Sequence, residues 1–365
     1  MPCNALATIA RFPDTDMFLT DTWYVAARSD EITADTPLAR TICTKPIVMY
    51  RDASGAVAAL DDFCPHRGLP LSMGTVRNGL LTCGYHGLVV GRDGCTVSMP
   101  AQRVQGFPRI HSFPVLERNG FVWIWPGEAD RADPLLVPQY AWQGNPAWAY
   151  GGGLYHVKAD YRLMIDNLMD LTHETWVHAA SIGQTEIDDT PCETLIEGDE
   201  VITRRLMHGV RAPHFWNEAL GWAGLQKDVP VDRWQVCRFT PPSHILIEVG
   251  VAHAGTGGAA APAEHKVYGI VVDFITPETD GSMWYFWGMA RNFCPNDETL
   301  TERIREGQGA IFAQDLAILE RQQANLAAFP DRRILKLDID AGGVRSRRVI
   351  ERLLAAEQAG ARGPA

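Results

Sequence analysis

Whatever this chain folds into must bring together Cys64-Pro65-His66-Arg67-Gly68 and Cys83-Gly84-Tyr85-His86-Gly87, with sixteen residues between His66 and Cys83. Each stretch offers one thiolate and one imidazole beside a glycine, so the pair makes a four-ligand metal site on two loops. The commonest site of this composition is structural zinc, but zinc fingers pair cysteine with cysteine and histidine with histidine at short spacings. Here each loop carries one of each. That arrangement fits a [2Fe–2S] cluster in which one iron takes Cys64 and Cys83 and the other takes His66 and His86. Neutral histidines in place of thiolates raise the reduction potential, and flanking glycines let backbone N–H groups approach the sulfides.

The surrounding residues, Trp23 to Pro126, read as short strands separated by turns. Thr41 to Tyr50 and Ala56 to Phe63 are expected strands joined through Asp52-Ala-Ser-Gly55. Leu116 to Trp125 is a stronger hairpin signal, because Asn119-Gly120 suits a type I′ turn and the residues after it are aromatic and β-branched. This half is expected to be a small all-β domain over residues 1–135. The stretch from Asp130 to Gly153, rich in proline and glycine, reads as the connection to a second domain over residues 136–365.

A second constellation opens that domain: Asn167-Leu-Met-Asp170-Leu-Thr-His173-Glu-Thr-Trp-Val-His178. The apolar pattern from Tyr161 to Ala179 is that of a buried helix. In a regular helix Asp170 and His173 share a face, whereas His173 and His178 stand about 140° apart. Both rings reach one point only if they lean inward or the helix is distorted. Two unrelated core histidines are the plain alternative to two imidazole ligands of a ferrous ion awaiting a carboxylate. Further strands are expected over Glu200–His208, Arg233–Phe239, His244–Val251, Lys266–Ile275 and Met283–Ala290, several of them alternating as one-sided antiparallel strands do. A long helix over Asp297–Ala328 follows, with capping at its start and Pro330 beyond its end. Along it Ile311, Phe312, Leu316 and Leu319 form an apolar stripe holding Asp315, a costly place for a carboxylate that is neither paired nor bound to metal. Pairing to Arg321 or to water is the ordinary account of that aspartate. A basic helix (Arg345, Arg347, Arg348, Arg352) near the end is expected on the surface or at a subunit contact.

The two motifs, in this order, resemble those of the Rieske non-haem iron oxygenases. Respiratory Rieske proteins carry an extra cysteine on each loop, and Leu69 and Tyr85 stand there here. The blocks from Asp166 to His178, Ile275 to Thr279 and Tyr285 to Phe293 resemble the vanillate-type aromatic O-demethylase branch. The resemblance implies an α+β protein with an N-terminal all-β Rieske domain and a C-terminal domain of antiparallel sheet and helices, of the helix-grip type. It implies His173 and His178 as ligands of a mononuclear Fe(II), with Asp315 as the third ligand and Glu320 as runner-up. Asn167 has a supporting place beside the iron. Asp170 is implied to bridge His173 to His86 of the next chain in a head-to-tail homotrimer. Electrons are implied to come from NADH through a separate flavin and [2Fe–2S] reductase, with O2 as co-substrate. The substrate is implied to be a methoxylated aromatic acid that loses its methyl group as formaldehyde. His244, Ile247 and Asp273 are expected in the pocket wall, and Arg204, Arg205, Arg233 and Arg238 are all candidates for its carboxylate. Relatives with the same motifs act on chlorinated methoxybenzoates, aryl-sulfonate methyl groups or phenoxy compounds.

Composition excludes other classes. A net charge of −11 argues against nucleic acid and anionic membrane surfaces, and no apolar run approaches a membrane span. The start, Met1 to Met17, lacks the charged-then-apolar order of a signal peptide. Eight scattered cysteines fit free thiols and metal ligands better than a disulfide framework. The expectation is cytoplasmic. A Rieske electron carrier with a binding module, and a zinc-stabilised interaction protein, remain as rival classes.

Overall fold

Alternating apolar and polar residues punctuated by turn formers give antiparallel strands with one covered face. In the computed structural model, which describes residues 17–361, the first half supplies eleven of them. They are Tyr24–Arg28 (β1), Leu38–Ile42 (β2), Lys45–Arg51 (β3), Val57–Asp61 (β4), Thr75–Arg77 (β5), Leu80–Thr82 (β6), Val89–Val90 (β7), Thr96–Ser98 (β8), Ser112–Phe113 (β9), Val115–Arg118 (β10) and Phe121–Ile124 (β11). They form three small sheets ordered β1-β11-β10, β2-β3-β4-β9 and β5-β6-β7-β8. Asn119 and Gly120 join β10 to β11 with φ of 53° and 84°, as a type I′ turn requires. Thr41–Tyr50, expected as one strand, is divided instead. Cys43 and Thr44 take φ of 49° and 65° between β2 and β3. Their N–H groups donate to the carbonyls of Pro277 and Glu278, so a distant segment makes a turn that no local residue announces. Cys64 and Cys83 lie in the core of this half with Val48, Tyr50, Leu60 and Leu81.

The chain divides into two compact units, one of Phe18–Gln139 with Thr276–Thr279, the other of Tyr140–Ile275 and the residues from Asp280 onward. The reading of Met1 to Met17 as no signal peptide falls almost wholly outside the described residues. The second unit holds Ala149–Val157 (β12), Glu193–Glu197 (β13), Glu200–Arg211 (β14), Pro230–Thr240 (β15), His244–His253 (β16), Lys266–Thr279 (β17, as far as Ile275) and Ser282–Arg291 (β18). These make a seven-stranded antiparallel sheet ordered β12-β18-β17-β16-β15-β14-β13. Gly151-Gly-Gly153 belongs to β12 and not to the connection, and for a steric reason. A Cβ on Gly153 would lie 2.5 Å from the indole of Trp287, its partner on β18.

Six helices complete this unit: Tyr161–Leu168 (α1), Glu174–Val177 (α2), Glu186–Asp189 (α3), His214–Trp222 (α4), Glu298–Ala328 (α5) and Ala341–Ala361 (α6). Asp297 caps α5 by accepting from the Leu300 N–H at 2.9 Å. One sheet face, through Val231, Val251, Val267 and Met289, packs against Trp216 and Leu220 of α4 and Leu300 and Ile304 of α5. The basic tail helix α6 is less peripheral than expected. It packs on α1 and β14, buries Ser346 and pairs Arg347 with Asp166.

Candidate metal centres and active site

The two cysteine–histidine loops are built alike. Cys64 N–H donates to Leu69 C=O at 2.9 Å and Gly68 N–H to Cys64 C=O at 2.8 Å. Nineteen residues on, Cys83 N–H donates to Leu88 C=O at 2.8 Å and Gly87 N–H to Cys83 C=O at 3.1 Å. Gly68 and Gly87 turn with φ of 69° and 72°, the left-handed conformation that glycine adopts without strain. Both cysteines are buried, while both histidines are exposed with ring centroids 4.4 Å apart. Burial, ahead of contact with Cys83, pushes the Cys64 thiol above its ordinary pKa. Partial desolvation, then His66, holds the His86 imidazole below its own. Two thiol and two imidazole donors on matched loops fit a Rieske cluster.

In the second unit the expected helix is broken, and the break is what aims the histidines. α1 ends at Leu168 and α2 begins at Glu174. Between them the Asp170 carboxylate accepts from the Thr172 N–H at 2.7 Å. Arg205, reaching from β14, donates to the Leu171 carbonyl at 2.6 Å and the Thr190 carbonyl at 3.1 Å. Asp170 therefore satisfies the unwound backbone locally and Arg205 braces it from the sheet. The two bonds from Arg205 have no signature in the sequence.

With the helix broken, His173 and His178 face one point from either side, ring centroids 5.3 Å apart. Asp315 of α5 completes the group: its Oδ1 lies 3.6 Å from His173 Nε2 and 3.2 Å from His178 Nε2. One ligand atom from each of the three lies within 4.8 Å of the others. Both Nδ1 atoms are engaged elsewhere, which leaves the Nε2 atoms for a metal. His173 Nδ1 bonds the Asp170 backbone carbonyl at 2.7 Å, and His178 Nδ1 bonds Gln314 Oε1 at 2.8 Å. Asn167 Nδ2 donates to Asp315 Oδ1 at 3.3 Å. A buried His₂Asp set with oriented imidazoles and open sides fits a ferrous ion. Burial lowers the His173 pKa, but Asp170 and Asp315 outweigh it and the net shift is upward. Burial likewise raises Asp170, yet the His173 and Thr172 contacts hold its carboxyl below the usual range.

The expected bridge differs in detail from this geometry. The Asp170 group bonded to His173 is the backbone carbonyl, and its carboxylate Oδ2 stands 3.7 Å from His173 Nδ1. Glu320 lies apart from the histidines and accepts from the Lys158 N–H at 3.0 Å.

The three side chains open on a cavity of about 550 Å³ between the sheet, α4 and α5. Ile247 lies in its wall, with Val249, Val271 and Met289. His244 does not, and the reason is strand parity: three residues from Ile247 it points to the other face, edge-on to Phe274. Asp273 is fully buried beside the cavity and not in its wall. Its Oδ1 accepts from Tyr285 at 2.6 Å, and burial pushes its pKa up to about 8. Gln314 escaped the sequence reading, although its place beside Asp315 puts it on the same helical turn. So did Glu174, which is buried against Arg233 and Gln235.

Comparisons with known proteins agree with this geometry. Residues 22–114 match the Rieske [2Fe-2S] domain, and residues 157–356 match the vanillate O-demethylase oxygenase C-terminal domain. The chain is 66% identical to a vanillate O-demethylase oxygenase subunit from Pseudomonas sp. (strain HR199 / DSM 7063) over 94% of this chain and 96% of that one. It is 36% identical to the oxygenase component of dicamba O-demethylase from Stenotrophomonas maltophilia, over 92% of this chain and 98% of that one. The crystal structure of dicamba monooxygenase bound to 3,6-dichlorosalicylic acid superposes with a TM-score of 0.86 at 34% identity, covering 94% of this chain and 99% of that one. Likeness of this degree runs through both units, and the chain belongs to the Rieske non-haem iron oxygenases of the vanillate O-demethylase family.

Proposed function

We propose that this oxygenase O-demethylates vanillate, turning its methoxy group into a phenol and releasing the methyl carbon as formaldehyde. The observation that carries the reading is the His173–His178–Asp315 group opening on a largely apolar cavity, in a chain 66% identical to a vanillate-demethylating relative. The chain is the oxygenase component of a multicomponent system, which implies an aromatic substrate and a reductase partner. Its cofactors are a Rieske [2Fe–2S] cluster and a mononuclear non-haem iron. When bound, the cluster supplies electrons one at a time and the iron supplies O2 activation. The balance is one aromatic methyl ether, O2, NADH and a proton giving one phenol, formaldehyde, water and NAD⁺.

The chain's residues divide the work. We assign Cys64, His66, Cys83 and His86 to the cluster and His173, His178 and Asp315 to the iron. Gln314 and the Asp170 carbonyl fix the imidazole tautomers, and Asn167 steadies Asp315 through its amide. Ile247, Val249, Val271 and Met289 give the aromatic ring an apolar, water-poor wall. To the Asp170 carboxylate we assign the bridge to the partner subunit's His86 in a head-to-tail homotrimer. Its support is a low pKa and partial exposure, and on the other side exposed cluster histidines. No helix among the described residues is long and apolar enough to cross a membrane. The cytoplasm suits an NADH-linked reductase and the free Cys43, Cys95, Cys192, Cys237 and Cys294 among the described residues.

The test is anaerobic purification, reconstitution with a flavin and [2Fe–2S] reductase, and turnover of vanillate under air. Protocatechuate and formaldehyde should appear in equal amounts with matching O2 and NADH consumption. Oxygen uptake that vanillate does not stimulate, with turnover of an aryl-sulfonate methyl group instead, would move the assignment to another branch.

A further inference from the structure

We propose that Arg303 binds the carboxylate of the substrate, so that the aromatic acid lies with its charged end toward α4 and its methoxy end toward His173, His178 and Asp315. This rests on the reading above that an aromatic acid is the substrate. An anion entering a mostly apolar cavity needs a cation that is not already neutralised. The structure accounts for each arginine that the sequence offered. Arg204 is on the outer strands, paired with Glu193 at 2.7 Å. Arg205 is 2% exposed and committed to the Leu171 and Thr190 carbonyls. Arg233 reaches the cavity but is buried against Glu174 at 3.3 Å and bonded to Gln184. Arg238 points from β15 to the opposite sheet face and pairs with Glu200 at 2.7 Å.

Arg303 on α5 differs from all four. It lines the same cavity as the iron group from a solvent-exposed position on the helix. Its guanidinium carbon lies 5.4 Å from the ring centroid of Trp222, a cation–π contact that positions the group without cancelling its charge. Among the described residues no carboxylate pairs with it. The adjacent Glu302 is taken by Arg305, and Glu218, the acid at that end of the cavity, by Lys227. Twelve residues separate Arg303 from Asp315, about 18 Å along the helix axis. An arginine side chain, a benzoate and a metal-bound carboxylate divide that span between them. The wall between the two ends offers Ile247, Val249, Val271 and Met289, which suit a ring and not a charge. A neutral methoxyarene fits the wall equally well but leaves Arg303 unanswered. The cavity is thus selective for acids whose charge lies across the ring from the reacting ether.

The experiment compares Arg303→Gln and Arg303→Lys with the parent holoenzyme on two probes, 4-hydroxy-3-methoxybenzoate and uncharged 4-hydroxy-3-methoxybenzyl alcohol. Binding is read by tryptophan fluorescence under anaerobic conditions, and KM and kcat with the reductase. In R303Q, Kd and KM for the acid should rise about 10- to 100-fold, and the acid-to-alcohol ratio of kcat/KM should fall by a similar factor. The loss should sit in KM, and R303K should recover part of it. Raising ionic strength should weaken acid binding to the parent enzyme and spare the alcohol, a readout that stands if R303Q does not fold. Equal weakening of acid and alcohol, or no change in either, overturns the anchor. A parent enzyme that turns over the acid while R303Q keeps its selectivity sinks the anchor alone. A parent enzyme that neither binds nor demethylates the acid takes down the functional reading with it.

Discussion

The cluster loops and the iron site present their histidines in opposite ways. His66 and His86 are exposed, side by side on matched loops whose cysteines are buried. His178 is 2% exposed, and both iron-site imidazoles have each Nδ1 held by an oxygen of a neighbouring residue. An electron carrier must be reached from outside, so its outer ligands stay accessible. An oxygen-activating site must exclude water and fix geometry, so its ligands are enclosed and oriented. Each centre's surroundings fit its task.

Substitutions at the two centres test that contrast. The largest effects are expected at the ligands we propose. Cys83→Ser should abolish the visible spectrum and acid-labile sulfide, because a buried thiolate ligand cannot be replaced from solvent. His178→Ala should keep the spectrum yet lower turnover by at least about 10³-fold, with loss of about one iron per chain. A bleached His178→Ala protein would show that the centres are not independent. Next comes the bridge: Asp170→Asn should leave both metals in place and slow turnover by about 100-fold or more, read as cluster reoxidation in a single turnover. Unchanged reoxidation would remove the bridge.

Gln314→Leu should act more gently, weakening Fe(II) binding by about 10- to 100-fold when metal-free protein is titrated, because His178 loses the partner that fixes its tautomer. Gln314→Glu, which keeps an acceptor, should recover most of the affinity. The smallest effect concerns Asp273. Its folded pKa, about 8, lies above the unfolded value, so the folded state binds the extra proton. The stability this contributes is full below the unfolded carboxyl pKa and is lost as pH rises toward 8. Asp273→Asn should flatten that slope in metal-free protein, measured by denaturant unfolding between pH 5 and about 8.

The sequence made local chemistry legible and left long-range chemistry hidden. Cys64, His66, Cys83 and His86, the cluster ligands we propose, stand out because each loop is contiguous and its glycines mark the turns. The same is true of Asn119-Gly120 and of the Asp297 cap on α5. The helix break before His173 was not readable, since the brace comes from Arg205, 34 residues beyond the Leu171 carbonyl it holds. Nor was the turn at Cys43-Thr44, held by Pro277 and Glu278. The pocket wall failed for a different reason. His244 and Ile247 were expected together, but three residues on a strand point to opposite faces. Arg303 was hidden because its role depends on which other arginines are already paired, a fact of packing that no spacing records.

One chain is expected to carry two chemically distinct iron centres. The most direct test measures iron, zinc and acid-labile sulfide in anaerobically purified protein, beside its visible spectrum, for the parent chain and Asp315→Ala. The parent should be red-brown with about three irons and about two sulfides per chain, and the variant should lose about one iron while keeping its sulfide and colour. About two irons in both proteins, with none regained on adding Fe(II) to the parent, would contradict the oxygenase account and leave an electron carrier. Zinc without sulfide would contradict both centres.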